Sequence, residues 1–468
     1  MDLLLRRIEH LVTFDDTDRE LRGVDVLVRG SRIAAIGPDL AERPELGMDG
    51  DDDLQVVDGR GRLVLPGLIN AHQHLYQVGL RAIPELERAP IRPWLRGVGF
   101  RCLLWSNQGR FTPELVGALA AAGLTESLLG GVTTVADQHY FFPAGATEPF
   151  IEHTITAAAE VGARFHAGRG TLTLGWPTGK AHNGSVQSVD EVVRHAEALI
   201  AAAHDPGPDA MVRIDLAPCG VHVDRPELFE QFAALAADHD GVRLHTHLYE
   251  QIDTEECVGR YGITPWDFLV EHGWAQPRTW IAHVVDPPLS ELADFAAAGV
   301  SVAHLPAPDL RMGWGFAPVR EMLDAGVTVG FGTTGSASND GANLLGDLRL
   351  AALGHRSVID DPERWLSARE LLRMATRGSA ACLGRTDLGH VSVGAIADLA
   401  AWDLETVDRV GIHDPVLGLL LCGLSSRADL VTVGGRIVVR DGRCVTVDER
   451  QVARRARDLL GDLHTTGF

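Results

Sequence analysis

Short apolar runs separated by turn residues fill residues 1–66: Leu3-Leu4-Leu5, Ile8 to Thr13, Val24 to Val28, Ile33 to Gly37 and Val56-Val57-Asp58. Runs of this length predict strands of a small β-domain. Gly30-Ser31-Arg32 is expected to be a hairpin turn, and the acidic stretch Gly47 to Asp53 a solvated loop. The pattern changes at Gly67. From there to residue 390, apolar β-type runs alternate with helical segments, and strands are predicted at Leu68-Ile69, Val132 to Asp137, Arg164 to Ala167, Val212 to Leu216, Val242 to His245, Trp280 to His283, Val300 to His304 and Val327 to Gly332. Thr112-Pro113-Glu114 predicts a helix start, with an N-cap and a proline at the first position, and Gly130-Gly131 predicts its end. Eight strand–helix units in this span predict an α/β fold, a (β/α)8 TIM-like barrel whose chemistry gathers at the C-terminal strand ends. Over residues 391–468 the β-type pattern returns, as Ala397 to Trp402 and Leu430 to Val439, before a last helix from Asp448. Both chain ends are thus expected to supply one small β-sandwich beside the barrel, dividing the chain into 1–66, 67–390 and 391–468.

Composition narrows the function. A net charge of −22 opposes binding to nucleic acid or to an anionic membrane surface. The longest apolar run, near Leu417 to Leu424, falls far short of the ~18 residues of a membrane span, and Leu3-Leu4-Leu5 is too short for a signal peptide. A cytoplasmic location is therefore expected. The six cysteines (Cys102, Cys219, Cys257, Cys382, Cys422, Cys444) show no Cys-x-x-Cys pairing, so neither a disulfide framework nor a thiolate zinc knuckle is expected.

Candidate chemistry begins at Leu65-Pro66-Gly67-Leu68-Ile69-Asn70-Ala71-His72-Gln73-His74. Residues two apart on a strand share a face, so His72 and His74 can reach one cation beyond the strand end. Imidazole nitrogen suits zinc, iron or copper. His247, His283, His304 and Thr334 also fall at or just past predicted strand ends.

Four motifs, Pro66 to His74, His245-Thr246-His247, Ala282-His283 and Gly394-Ala395-Ile396-Ala397-Asp398-Leu399, resemble the amidohydrolase superfamily in its nucleobase-deaminase and chlorohydrolase branch, over essentially the whole chain. The resemblance implies that His72, His74 and His247 bind one zinc, or iron, per chain, with His283 as a further ligand or as a contact of the metal-bound water. It implies a homodimer. His245, His304, His139 and His166 are expected to be hydrogen-bonded structural histidines.

One departure stands out in Gly332-Thr333-Thr334-Gly335: most relatives carry an aspartate ligand where this chain has Thr334. Threonine neither lowers the charge of the centre nor accepts a proton from water, so another group must handle protons. Glu250, three residues beyond His247, is the candidate general acid toward a ring nitrogen; a surface-loop carboxylate is the plainer alternative. Together with the runs Ala303 to Gly315 and Gly341 to Leu350, the threonine resembles zinc-dependent s-triazine hydrolases, which displace chloride, alkylthio and related groups from triazine rings. Trp314 either stacks on a flat heteroaromatic ring or packs against the barrel rim. Trp94 forms an opposite wall or covers the mouth, Trp105 covers it, and Met312 is counted with the substrate-binding residues. Cys219 is expected to line the pocket, without a paired base that would make it a nucleophile. His222 and Val223 depart from the proline and tyrosine of a triazine hydrolase. The expected function is therefore displacement of chloride, alkylthio or amine from an s-triazine or similar ring by zinc-activated water. The alternatives are a purine or pyrimidine deaminase of the 8-oxoguanine or guanine type, or a catalytically dead metal-binding relative.

Overall fold

A computed structural model of the chain describes residues 2–48, 53–176, 178–422 and 427–461. Eight parallel strands follow one another in chain order: Leu68–Gln73, Val132–His139, Arg164–Thr171, Val212–Pro218, Arg243–Leu248, Thr279–His283, Ser301–His304 and Val329–Phe331. Each coincides with a predicted strand. They were legible as near-continuous apolar runs because helices cover the outer face of a parallel barrel and side chains fill its interior. Where the eighth strand returns to the first, the Thr333 and Thr334 N–H groups donate to the His72 carbonyl at 3.1 and 2.9 Å. Asn70 reinforces this seam: its Oδ1 accepts from Thr333 N at 3.1 Å, and its Nδ2 donates to Thr333 Oγ1 and Gln73 Oε1, both at 2.8 Å. The first strand runs past the predicted Leu68-Ile69, and its register slips between Asn70 and Gln73.

Gly67 sits at the entry to this strand for a steric reason. A Cβ there would lie 2.3 Å from the Thr133 side chain, so even alanine would overpack the junction. The helix Pro113–Leu129 begins as predicted, with Thr112 accepting from Leu115 N, and ends at Gly130. Before it, the helix Ile91–Asn107 lies over the barrel mouth, with Trp94 Nε1 donating to the Ala337 carbonyl at 3.1 Å. Trp105, on the same helix, is fully buried and does not line the cavity described below.

Two further sheets form the sandwich. One has four strands, ordered Arg32–Gly37, Val24–Arg29, Asp2–Ile8, Leu54–Asp58. The other has seven and interleaves the two chain ends, with Arg62–Pro66 paired antiparallel to Leu399–Asp403. Leu3, Leu5, Val26 and Val28 from one sheet pack with Val64, Leu399 and Ala401 from the other. The run Leu430 to Val439 is a hairpin instead of one strand: Leu430–Val433 and Arg436–Arg440 pair antiparallel across Gly434-Gly435, both at positive φ, a turn that glycine permits at no steric cost. Asp398 ties the sandwich to the barrel. Its carboxylate accepts buried hydrogen bonds from Arg164 Nε and Nη2 at 3.0 and 3.1 Å, and a part-buried one from Gly434 N at 2.6 Å. Removing either charge would strand the other, a loss of about 3–5 kcal/mol.

Asp49 to Asp52 of the expected acidic loop, and Gly423 and Leu424 of the apolar run, lie outside the described residues. No described helix is long and apolar enough to cross a membrane. None of the six cysteines is in a disulfide.

Candidate metal centre

The strand ends bring His72, His74 and His247 together. His247 Nε2 lies 3.1 Å from His72 Nε2 and 3.2 Å from His74 Nε2. The partners of the other ring nitrogens fix the tautomers. His74 Nδ1 donates to the Gln138 carbonyl at 2.9 Å and His247 Nδ1 to the Cys219 carbonyl at 2.5 Å. His245 Nδ1 donates to the Trp280 carbonyl at 3.0 Å, which leaves its Nε2 to accept from His72 Nδ1 at 2.7 Å. All three Nε2 atoms therefore carry a lone pair directed at the same point. Burial also holds these imidazoles neutral, with His74 depressed to about 3 and His72 and His247 well below the usual range. Three converging lone pairs with no proton to share are the donor set that zinc takes.

His245 is thus an interior hydrogen-bonded residue, as expected, and it acts on the centre through His72. Its ring stacks on Trp280, with centroids 4.2 Å apart and planes inclined at 11°. Because outer groups that orient a ligating histidine typically change metal affinity 10–100-fold, His245→Ala should weaken zinc binding by about that factor. Chelator competition would measure it; wild-type affinity would separate His245 from the centre.

The C-terminal ends of the barrel strands are strained. Tyr249, His283 and Thr334, at or just past the ends of the fifth, sixth and eighth strands, all have positive φ (58°, 76° and 57°), as does Val284 (53°), and His283 and Thr334 line the cavity. Non-glycine residues in this region cost about 1–3 kcal/mol each, and such strain clusters at functional sites.

His283 stands beside the trio but outside it. Its Nδ1 is 2.6 Å from Asp309 Oδ1 and its Nε2 3.3 Å from Glu250 Oε1, while its ring centroid is 6.0 Å from that of His72. Glu250 is no surface carboxylate, being only 8% exposed. Burial pushes it up to about 7 against the pull of His283. Desolvation opposes charge on His283, but Asp309 and Glu250 outweigh it and raise its pKa.

His74, His247, His283 and Glu250 line one cavity together with Trp94, Tyr140, Cys219, His222, Met312, Trp314 and Thr334. Trp314 meets the His283 ring edge-to-face at 5.6 Å. The Thr334 Oγ1 is buried without a hydrogen-bond partner. Asp340 is committed at the rim, accepting from Ala82 N at 2.6 Å and pairing with Arg311 at 3.2 Å. Burial pushes the Cys219 thiol well above its usual range, which removes it as a nucleophile.

Other histidines take structural places. His166 pairs with Asp215 at 2.9 Å, and His304 with His355 at 3.1 Å. His139 differs from expectation: neither ring nitrogen has a hydrogen-bond partner, and Tyr76, Phe142 and Phe150 surround it. Asp309 and Asp253 were not singled out by sequence reasoning. Each meets its histidine only through the fold, and the run Asp309-Leu310-Arg311 carries no spacing signal.

Comparison with known proteins agrees with this geometry. Over 98% of this chain and 100% of that one, the crystal structure of atrazine chlorohydrolase TrzN from Arthrobacter aurescens TC1, complexed with zinc, is 54% identical and superimposes with a TM-score of 0.94. Among curated relatives, 8-oxoguanine deaminase of Pseudomonas aeruginosa is 39% identical, covering 86% of this chain and 87% of its own. Hydroxydechloroatrazine ethylaminohydrolase of Pseudomonas sp. strain ADP is 35% identical, covering 95% and 92%. The model of the amidohydrolase family matches residues 63–441, from the strand before the His-x-His motif to the closing hairpin of the sandwich, and the chain belongs to that family of hydrolases.

Proposed function

We propose that this hydrolase displaces chloride, an alkylthio group or an amine from an s-triazine or similar electron-poor N-heteroaromatic ring. The observation that carries the reading is Thr334: a neutral side chain ends the eighth barrel strand beside three neutral imidazoles, and a buried glutamate faces the same cavity. The likeness to atrazine chlorohydrolase supports it. Zinc held by His72, His74 and His247 supplies water acidified enough to attack near neutral pH. His283, fixed by Asp309 and turned toward Glu250, is placed to contact that water instead of completing the ligand set. Glu250, kept protonated by burial, delivers its proton to a ring nitrogen as the ring carbon is attacked. Trp314, Trp94 and Met312 supply flat and apolar walls for the ring, and Cys219 lines the floor.

Thr334 sets the leaving-group preference. An amine leaves poorly unless protonated, and threonine cannot relay a proton as a carboxylate does, whereas chloride or thiolate departs as an anion. On matched rings, displacement of chloride or alkylthio should exceed displacement of amine, and Thr334→Asp should narrow the difference. Steady-state kcat/KM on chloro-, methylthio- and amino-substituted rings measures both. A wild-type preference for an amino-purine or amino-pyrimidine over every halogenated or thioether ring would install the deaminase reading, which the similarity to 8-oxoguanine deaminase favours. Zinc bound with no turnover on any ring would leave a metal-binding protein without activity.

The partner is then a small heteroaromatic molecule. The charge of −22 disfavours nucleic acid and anionic membranes as partners, the short apolar runs support a cytoplasmic location, and the family resemblance supports a homodimer, which sedimentation would test. The strand pairing supports dividing the chain into residues 1–66, 67–390 and 391–468.

A further inference from the structure

A second imidazole–carboxylate pair lies beside Glu250, with its histidine lining the same cavity. His222 follows the fourth barrel strand and is 3% exposed; its Nδ1 is 2.8 Å from Oδ1 of Asp253, which is completely buried. Asp253 Oδ2 also accepts from Glu250 N at 3.3 Å, so one carboxylate fixes both the histidine ring and the glutamate backbone. The ring has a fitted seat: a Cβ on Gly220 would lie 3.1 Å from it, and Lys180 N donates to the His222 carbonyl at 3.1 Å. His222 lines the zinc cavity and also a larger, mostly apolar chamber that adjoins it through Leu95, Tyr140 and Cys219. With Nδ1 spent on Asp253, Nε2 is the ring atom left to address whatever occupies the cavity.

We propose that His222, held by Asp253, binds a carbonyl or oxyanion oxygen on the substrate ring through Nε2–H and selects oxo-substituted heterocycles over rings that carry hydrogen or alkyl at that position. The inference rests on the zinc-hydrolase reading and names a substrate feature for the same site. A donor at this position needs an acceptor on the substrate, and an exocyclic oxygen on the ring supplies one. A buried donor left facing a methyl group would lose its partner, which is worth about 10–100-fold in affinity. Burial opposes charge on the ring, but the hydrogen-bonded Asp253 carboxylate outweighs it and favours the charged ring, in which Nε2 carries a proton as well as Nδ1.

Titration calorimetry on the zinc-loaded protein tests this with two inert rings, 6-methyl-s-triazine-2,4-dione and 2,4,6-trimethyl-s-triazine. The wild type should bind the dione at least about tenfold more tightly. His222→Leu should abolish the preference with zinc still at about one per chain, and His222→Gln, which keeps a neutral donor, should retain part of it. The wild-type comparison stands even if a variant fails to fold. Equal binding of the two rings by the wild type, or an unchanged preference in His222→Leu, overturns the assignment alone. A second zinc lost on replacing His222 would make the His222–Glu250–Asp253 cluster a metal site and overturn it too. Failure of both rings to bind the loaded wild type overturns this inference together with the heteroaromatic reading.

Discussion

Purified His247→Ala should contain no stoichiometric zinc and should lose roughly 10³-fold or more of its hydrolytic activity, because attack at neutral pH depends on water whose pKa the metal lowers from about 15.7 toward 7. The His247 Nε2 is the atom that both other imidazoles approach, at 3.1 and 3.2 Å, so its removal leaves two ligands and an open face. The chain offers no ready substitute among the described residues. His283 is held outside the trio by Asp309, and Thr334 carries no charge. His72→Ala should behave alike, with the added loss of the His245 relay. Zinc would be measured by elemental analysis after exhaustive dialysis, and folding by circular dichroism. Zinc content equal to wild type in both variants would refute the ligand assignment.

What the sequence made legible follows from how each feature is encoded. The barrel was visible because strands buried on both faces are rich in apolar residues, and the chain supplies eight β-type runs separated by helical segments. The His-x-His pair was visible because two side chains on one strand face need only a spacing of two. Asp309 and Asp253 were not, since they meet their histidines 26 and 31 residues away from short helices whose placement no periodicity records. Asn70 was read only as part of a motif. Its role in stitching the first strand to the eighth appears once the barrel closes. The Leu430 to Val439 run hid a hairpin because its two glycines interrupt an otherwise uniform β-type composition. Glu250 could be placed near the metal by its distance from His247, yet its burial depends on the covering helix Ile91–Asn107 and on the loop bearing His222, which local sequence does not specify.

That burial decides the other large effect. Glu250→Gln should keep wild-type zinc content and lose roughly 10²-fold or more in kcat, the typical contribution of a general acid. The substitution preserves size and hydrogen-bonding capacity while removing the transferable proton, so the buried site gains no cavity and no unpaired charge. Burial pushes the Glu250 carboxyl up to about 7, whereas an ordinary glutamate would be ionised from about pH 4.3 upward and could not act as an acid at neutrality. The sign of the pH dependence follows. The acid form is populated below its raised pKa, so the Glu250-dependent part of kcat should fall as pH rises through about 7, and Glu250→Gln should lack that fall. The deficit should be smallest for substrates whose leaving group is expelled easily, because ring protonation then contributes least to the barrier. A variant with wild-type kcat on every ring, or one whose lost activity tracks lost zinc, would remove Glu250 from the proton path and leave His283, 3.3 Å away and bound to Asp309, as the group to test next.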